Sequence, residues 1–248
     1  MSSNFLSSAD SKNEIIKKAA EYVGRRKYFS VEVDGDIKRK SINMFLPLIA
    51  AADSSNMESV LKIINEKYIW KEERKKIKKP DRMTNLSIDE LKKNLFKTIQ
   101  NGESVFAIKF ANELYLREKD ELKKVILFSA CINCESRILL MVVLAAIKLM
   151  DEENIDYFYP LYLAVELLSI YPKNYREYEE AYLNYDKKSF INHYSCSELE
   201  KVFFSKAVEI LEKFNFEKVD ILKKIIKELD SEKSAEKSEV DVILSNIL

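Results

Sequence analysis

The sequence predicts an all-α protein, an antiparallel bundle of about ten helices. The chain has 248 residues but only 3 Gly and 4 Pro, the residues that tight turns and hairpins use most. Residues 138–147 read Ile-Leu-Leu-Met-Val-Val-Leu-Ala-Ala-Ile without a polar residue. A helix that is apolar on every side must be surrounded by other helices, and this one is too short to span a membrane, which takes about 20 apolar residues. We expect it to be the central, buried helix.

Residues 1–82 are predicted to form a basic amino-terminal lobe. They contain 18 Lys and Arg against 12 Asp and Glu, a net charge of +6. The helices expected here cover residues 13–24, 41–52 and 56–79. Residues 28–40 alternate between apolar and polar on either side of Asp34-Gly35, which indicates a small hairpin.

Residues 83–229 are predicted to form the main bundle, because amphipathic segments follow one another across short polar turns. Ser87 and Glu90 have the spacing of a capping box, which marks a helix start. The buried face of this helix is expected to comprise Leu91, Leu95 and Ile99. In the helix over residues 104–117, the inward side chains are expected to be Phe106, Ile108, Phe110, Ala111 and Leu114. Further helices are expected over residues 120–128, 138–150, 155–171, 175–188, 197–214 and 219–229.

Residues 230–248 are predicted to be a charged linker and an apolar tail that contains Val242, Ile243 and Leu244. Transfer of a tethered apolar segment out of water lowers the free energy of the system. The tail therefore either docks on a partner protein or folds back on its own domain, and the sequence leaves both readings open.

Three stretches of the main bundle fit a known helical domain. Residues 95–114 read as a helix, a polar turn and a helix with paired aromatics. Residues 124–130 form an apolar helix, and residues 160–175 a helix that ends at Pro172-Lys173-Asn174. Over residues 87–188 the chain resembles the carboxy-terminal oligomerisation domain, or collar, of clamp-loader-type AAA+ ATPases. Among these it is most similar to the bacterial replication-associated recombination ATPases and their eukaryotic relatives.

This resemblance implies subunit association within replication or repair machinery. It does not imply nucleotide hydrolysis, since the sequence contains no GxxxxGK[ST] phosphate loop. The acidic stretch that usually follows the family's third helix is replaced by Cys131-Ile-Asn-Cys134, and the Ser of the family's proline-lysine-serine-asparagine turn is missing.

The cysteine and histidine residues suggest a structural zinc site. All three Cys and the only His occur as Cys131-x-x-Cys134 and His193-x-x-Cys196, and two such pairs can supply a tetrahedral Cys3His set. The alternative, which we favour, is that the cysteines are small buried hydrophobic residues and the histidine a surface residue. No other cofactor is expected. The low cysteine content fits a reducing compartment, and no signal peptide is apparent, so a cytoplasmic location is expected, or a nuclear one in a eukaryote.

A basic stretch at the end of the amino-terminal lobe is a candidate DNA contact. Its residues are Trp70, Lys71, Arg74, Lys75, Lys76, Lys78, Lys79 and Arg82. Lys and Arg neutralise phosphates without reading sequence, and an aromatic ring can stack on an exposed base. The alternative, slightly favoured because the whole chain is neutral, is a solvated helix end.

A row of tyrosines is a candidate partner surface. Tyr175, Tyr178, Tyr182 and Tyr185 recur at steps of three and four residues and would share one helix face. Tyr is enriched at protein interfaces, although packing against a neighbouring helix is the commoner use of such a row.

These features predict a non-catalytic interaction protein, an accessory subunit or factor in DNA replication or repair. It would act through a protein partner or homo-oligomer, and a weak non-specific contact to DNA is possible. The alternative is a helical adaptor without a nucleic-acid role. An enzyme is disfavoured, since only His193 could serve as the base of a Ser-His-Asp or Cys-His arrangement and the carboxylates are scattered among lysines.

Overall fold

The computed structural model describes residues 10–22, 28–31, 33–35, 37–40, 45–52, 57–58, 61–62, 77–133, 137–186 and 194–232. Ten helices with defined bounds lie in these residues, and residues 57–58 and 61–62 are helical as well. The helices are α1 (Lys12–Tyr22), α2 (Phe45–Ala52), α3 (Ile88–Gln100), α4 (Ser104–Arg117), α5 (Lys119–Cys131), α6 (Arg137–Met150), α7 (Phe158–Ile170), α8 (Arg176–Leu183), α9 (Glu198–Lys213) and α10 (Val219–Glu228). The prediction of an all-α helical bundle is confirmed.

Two small pairs of strands accompany the helices. β1 (Tyr28–Val31) and β2 (Ile37–Lys40) pair antiparallel, as the Asp34-Gly35 turn predicted, and Gly35 has the positive φ of 89° that such a turn needs. β3 (Tyr194–Ser197) and β4 (Leu229–Glu232) pair in parallel. Residues 230–232, assigned from sequence to a charged linker, are therefore strand. The local pattern could not reveal this, because a parallel partner is distant in sequence.

α6 is the buried centre of the bundle, as the apolar run predicted. Leu139, Val142, Val143 and Ala146 are all fully buried. The helix packs against α2, α5, α7 and α9, so it has neighbours on all sides and no need of a polar face. Within the described residues, no helix combines the length and apolar character that crossing a lipid bilayer requires.

The two described helices of the amino-terminal region share this core. α1 packs against α2 and α7, and α2 packs against α6. Lys12 forms an ion pair with Glu152 at 3.0 Å, and the Asn13 side chain accepts a hydrogen bond from the backbone N–H of Asp156 at 3.0 Å. The apolar residues Ile16 and Leu48 belong to the same buried cluster as the main bundle.

The segment between the amino-terminal region and the main bundle is extended and fastened to α4. We call residues 77–87 the strap. The Asn112 amide donates to the carbonyl of Pro80 at 3.4 Å. The buried carboxylate of Glu113 accepts hydrogen bonds from the backbone N–H and the hydroxyl of Thr84, at 2.9 and 3.0 Å. An exposed segment is thereby held in one place by two buried polar side chains.

The start and end of α3 follow the sequence signals. The Glu90 N–H donates to Ser87 Oγ at 3.3 Å, and the Ser87 N–H donates back to Glu90 Oε2 at 2.8 Å, completing the capping box. The backbone N–H of Ser87 and then its hydroxyl lower the pKa of Glu90. At the other end Gly102 has a φ of 75°, and the next N–H, that of Glu103, donates back to Thr98 at 2.9 Å. This is a Schellman motif, which needs a left-handed residue.

One inward prediction for α4 is wrong. Phe106 is 53% exposed, and Phe110 is only partly buried. The buried side of α4 consists of Ala107, Ile108, Ala111, Asn112, Glu113 and Leu114. Asn112 and Glu113 are polar but lie on the buried face because they bind the strap. The apolar pattern alone therefore assigned part of the buried face of α4 to the wrong side of the helix.

Candidate docking groove

A groove of about 450 Å³ lies between α3, α5 and the turn that joins α9 to α10. Its floor contains Phe96 from α3, Val125 and Phe128 from α5, and Phe216 from the turn. Its rim carries lysines and two glutamates. The three aromatic residues come from distant parts of the chain, so the groove exists only in the folded bundle.

The floor is a cluster of rings that fix one another's orientation. Phe96 and Phe128 stack with centroids 5.7 Å apart and planes at 22°. Phe216 lies 4.7 Å from Phe128 at 41°, and Tyr178 of α8 meets Phe128 edge-on at 5.6 Å and 78°. Offset and edge-on arrangements are the favoured geometries of aromatic pairs. The floor is therefore a preformed apolar hollow.

The turn after α9 places Phe216 on the floor. Asn215 has a φ of 53°. Its N–H donates to Glu212 at 2.9 Å, and the Phe216 N–H donates to Leu211 at 3.1 Å. These are the two bonds of a Schellman motif, in which Asn substitutes for the usual Gly at the left-handed position. The motif reverses the chain and directs it toward α5.

One side of the rim is an ion-pair network. Lys92 lies 2.7 Å from Glu121, and Lys124 also pairs with Glu121. Burial disfavours the ionised carboxylate of Glu121, but the hydrogen bonds from Lys124 and Lys92 outweigh burial and lower its pKa. The hydrogen bond to Glu121 raises the pKa of Lys92. The network joins α3 to α5 across the groove.

The rim also carries two lysines that form no ion pair within the described residues. Lys93 and Lys218 are exposed and line the groove. Neither forms an ion pair with another described residue. The lining contains four lysines and two glutamates, 4 − 2 = +2 at neutral pH. The groove thus combines an apolar floor with a net positive rim.

The structure describes only part of the predicted basic stretch. Residues 70–76 lie outside the described residues. Lys78 and Arg82 are exposed. Lys79 instead turns to the body of the protein, 3.8 Å from Asp156 and 4.0 Å from the centre of the Tyr157 ring. Lys79 is therefore engaged in a cation–π contact and is less available to a phosphate than its neighbours.

Little of the predicted zinc site can be described. Cys131 is fully buried, and this burial strongly raises the pKa of its thiol. Its side chain belongs to the apolar core cluster, which favours the reading of Cys131 as a buried apolar residue. Cys134 and His193 lie outside the described residues, as does the side chain of Cys196 in β3. Among the described side chains, no three His, Cys, Asp or Glu converge on one point.

The four tyrosines do not share one surface. Tyr178 packs against Phe128 below the groove, and Tyr175 is partly buried. Tyr182 and Tyr185 are 54% and 46% exposed, and Tyr185 lies beyond the end of α8. This second pair is the more exposed of the two. The tail residues Val242, Ile243 and Leu244 lie outside the described residues.

Comparison with known proteins adds no relative. No protein-family model, no curated protein and no solved structure matches this chain. The collar resemblance therefore stays a prediction, and the function must be argued from the chain itself.

The sequence reasoning did not find the groove. Phe96 and Phe216 lie beside the apolar faces of their segments, so periodicity did not single them out. A usable signal was present, because lysines accompany each phenylalanine at helical spacing or within two residues: Lys92 and Lys93 before Phe96, Lys124 before Phe128, and Lys218 after Phe216. That repeated pairing is recognisable only when the three segments are considered together.

Proposed function

We propose that this protein is a non-catalytic helical interaction protein of the cytoplasm, or of the nucleus in a eukaryote, and an accessory subunit or factor in DNA replication or repair that acts through protein–protein association. The observation that supports this most is the groove on α3 and α5. Aromatic residues and exposed apolar surface are typical of binding sites for other proteins. The association with replication or repair rests on the collar resemblance alone.

The helices that form the groove are held rigidly by their neighbours, which suits a binding role. α3 packs against α4 and α5, and α5 packs against the central helix α6. The strap and the Lys92–Glu121–Lys124 network add polar links between these elements. A surface held by packed helices loses little conformational entropy when a partner binds, which favours affinity.

The experiment is affinity purification of the tagged full-length protein from its native host, followed by mass spectrometry. Each candidate partner is then purified and mixed with the protein, and the complex is measured by light scattering. We expect a stoichiometric complex with another protein or a defined homo-oligomer. A protein that stays monomeric and forms no complex with any purified candidate would contradict the proposal.

A non-specific DNA contact is the second part of the proposal. Lys78 and Arg82 are exposed, and phosphate contacts of this kind weaken steeply with salt. We expect salt-sensitive DNA binding that the triple change of Lys75, Lys76 and Lys78 to Glu abolishes. Unchanged binding by that variant would reject this contact.

The alternative is a helical adaptor without a nucleic-acid role. The engagement of Lys79 with Asp156 and Tyr157 favours it, because it removes one cation from the basic stretch. Absence of DNA binding at low salt, together with a protein complex, would select the adaptor.

A further inference from the structure

We propose that the groove between α3, α5 and the α9–α10 turn binds a linear acidic segment of a partner protein, which inserts one aromatic or large aliphatic side chain. This inference rests on the proposed function and specifies the chemistry of the partner. It is supported by two independent properties of the groove, its apolar floor and its charged rim.

The floor is suited to a single apolar anchor. The groove as a whole has a volume of about 450 Å³, ample for one large side chain and within the roughly 300–1,000 Å³ of small-molecule pockets. Phe96, Phe128 and Phe216 form its walls at angles of 22° and 41°. A hollow with tilted aromatic walls surrounds an inserted side chain and removes it from water, which is how anchor residues contribute most of their binding free energy.

The rim determines the charge of the flanking residues. Lys93 on α3 and Lys218 on the turn line the groove from two different elements and make no ion pair with other described residues. A segment that crosses the groove would bring its flanking side chains to these ammonium groups. Asp and Glu satisfy them, and Lys or Arg at the same places would be repelled.

The same geometry disfavours single-stranded nucleic acid. Bases bind by stacking on exposed flat rings, but Phe128 already has Phe96, Phe216 and Tyr178 as neighbours. The two acidic side chains of the rim, Glu121 and Glu217, would also repel a continuous line of phosphates. A peptide can place its acidic residues near the lysines alone.

The test uses a displayed library of random linear peptides, the form in which partner segments dock in surface grooves. Peptides are selected on the full-length protein and their affinities measured by fluorescence anisotropy. We expect the selected peptides to carry an aromatic or large aliphatic residue flanked by Asp or Glu. Replacing that residue by Ala should weaken binding about tenfold or more.

The protein side is tested with two matched double variants. Lys93→Glu with Lys218→Glu reverses two charges on the rim. Lys97→Glu with Lys213→Glu makes the same change at exposed positions of α3 and α9 that do not line the groove. We expect the first variant to lose about tenfold or more in affinity, and the second to bind nearly as well as the wild type. All four sites are on the surface, and circular dichroism verifies that both variants are folded.

Several results would overturn the inference. One is a selected set without acidic residues, or equal loss of affinity in both double variants. Another is tighter binding of oligo-dT than of any peptide, with the same dependence on Lys93 and Lys218. A third is preferential binding of a synthetic peptide of residues 240–248, which would make the chain's own tail the occupant. If a purified partner still binds the Lys93/Lys218 variant, the proposed function stands and only the assignment to this groove fails.

Discussion

The buried carboxylate of Glu113 fastens the strap to α4, and replacing it is the most direct test of that role. It is 3% exposed and accepts three hydrogen bonds: two from Thr84, at 2.9 and 3.0 Å, and one from Arg117 at 3.1 Å. Glu113→Ala removes all three. Arg117 keeps its hydrogen bond to the carbonyl of Leu86 at 2.7 Å, so its guanidinium loses only one of these two partners.

The size of the destabilisation depends on which hydrogen-bond donors lose their acceptor and whether water can replace it. Hydrogen bonds to a charged group contribute about 1.5–3 kcal/mol each, but Thr84 is exposed and regains water. The Arg117 side chain is 32% exposed and is also hydrated in part. We therefore expect a decrease in the free energy of unfolding of about 2–3 kcal/mol, below the 3–5 kcal/mol found when a fully buried pair is broken. Glu113→Gln keeps one acceptor and should cost about half as much.

Urea denaturation gives these free energies, and hydrogen exchange at the Thr84 amide reports the strap itself. The matched control is Glu118→Ala, at an exposed glutamate in the same part of the chain, which should stay within about 0.5 kcal/mol of wild type. The strap reasoning is refuted if Glu113→Ala and Glu118→Ala are equally stable, or if exchange at Thr84 is unchanged.

Three further predictions concern single residues. Asn133→Ala should cost about 1–3 kcal/mol in urea denaturation, because this buried amide donates to Pro172 and accepts from the Asn174 N–H, both at 3.0 Å; a neutral effect would contradict that role. Burial lowers the pKa of Lys173 to about 8, below the value near 10.4 of an unfolded chain. The folded state thus binds fewer protons between these values, so its stability rises with pH there. Lys173→Met also removes the hydrogen bond that Lys173 donates to the Leu168 carbonyl, so the prediction concerns the pH dependence. The stability of the variant relative to the wild type should be highest at pH 7 and decrease as the pH rises from about 8 to about 10.4; a difference independent of pH would contradict it. Zinc in the purified protein should stay well below one equivalent, because Cys131 is packed inside the apolar core, and metal analysis that finds equimolar zinc would show this reading to be wrong.

Local signals in the sequence were sufficient for much of the fold. The capping box at Ser87 and the Gly102 stop set the ends of α3 within a residue, and the uninterrupted apolar run predicted α6 and its burial. These features depend on residues close together in the chain. The strap was not predictable in the same way. Asn112 and Glu113 interrupt the apolar face of α4. They are buried because they form hydrogen bonds with Pro80 and Thr84, which are about thirty residues earlier in the chain.

The groove was not recognised from the sequence for a related reason. Phe96, Phe128 and Phe216 meet only because α3, α5 and the α9–α10 turn pack together, and sequence spacing does not reveal which helices become neighbours. The tyrosine row illustrates the opposite error. Regular spacing suggested one surface, but α8 ends at Leu183 and leaves Tyr185 in a turn, so periodicity was extended past the end of its helix.

The claim that the groove is the binding surface is tested most directly by NMR. Amide shifts of the full-length protein are followed while a selected acidic peptide is added. The account predicts changes concentrated in residues 92–96, 121–128 and 214–218, with saturation at the affinity measured by anisotropy. Changes centred on Tyr182 and Tyr185, or on the strap, would contradict it.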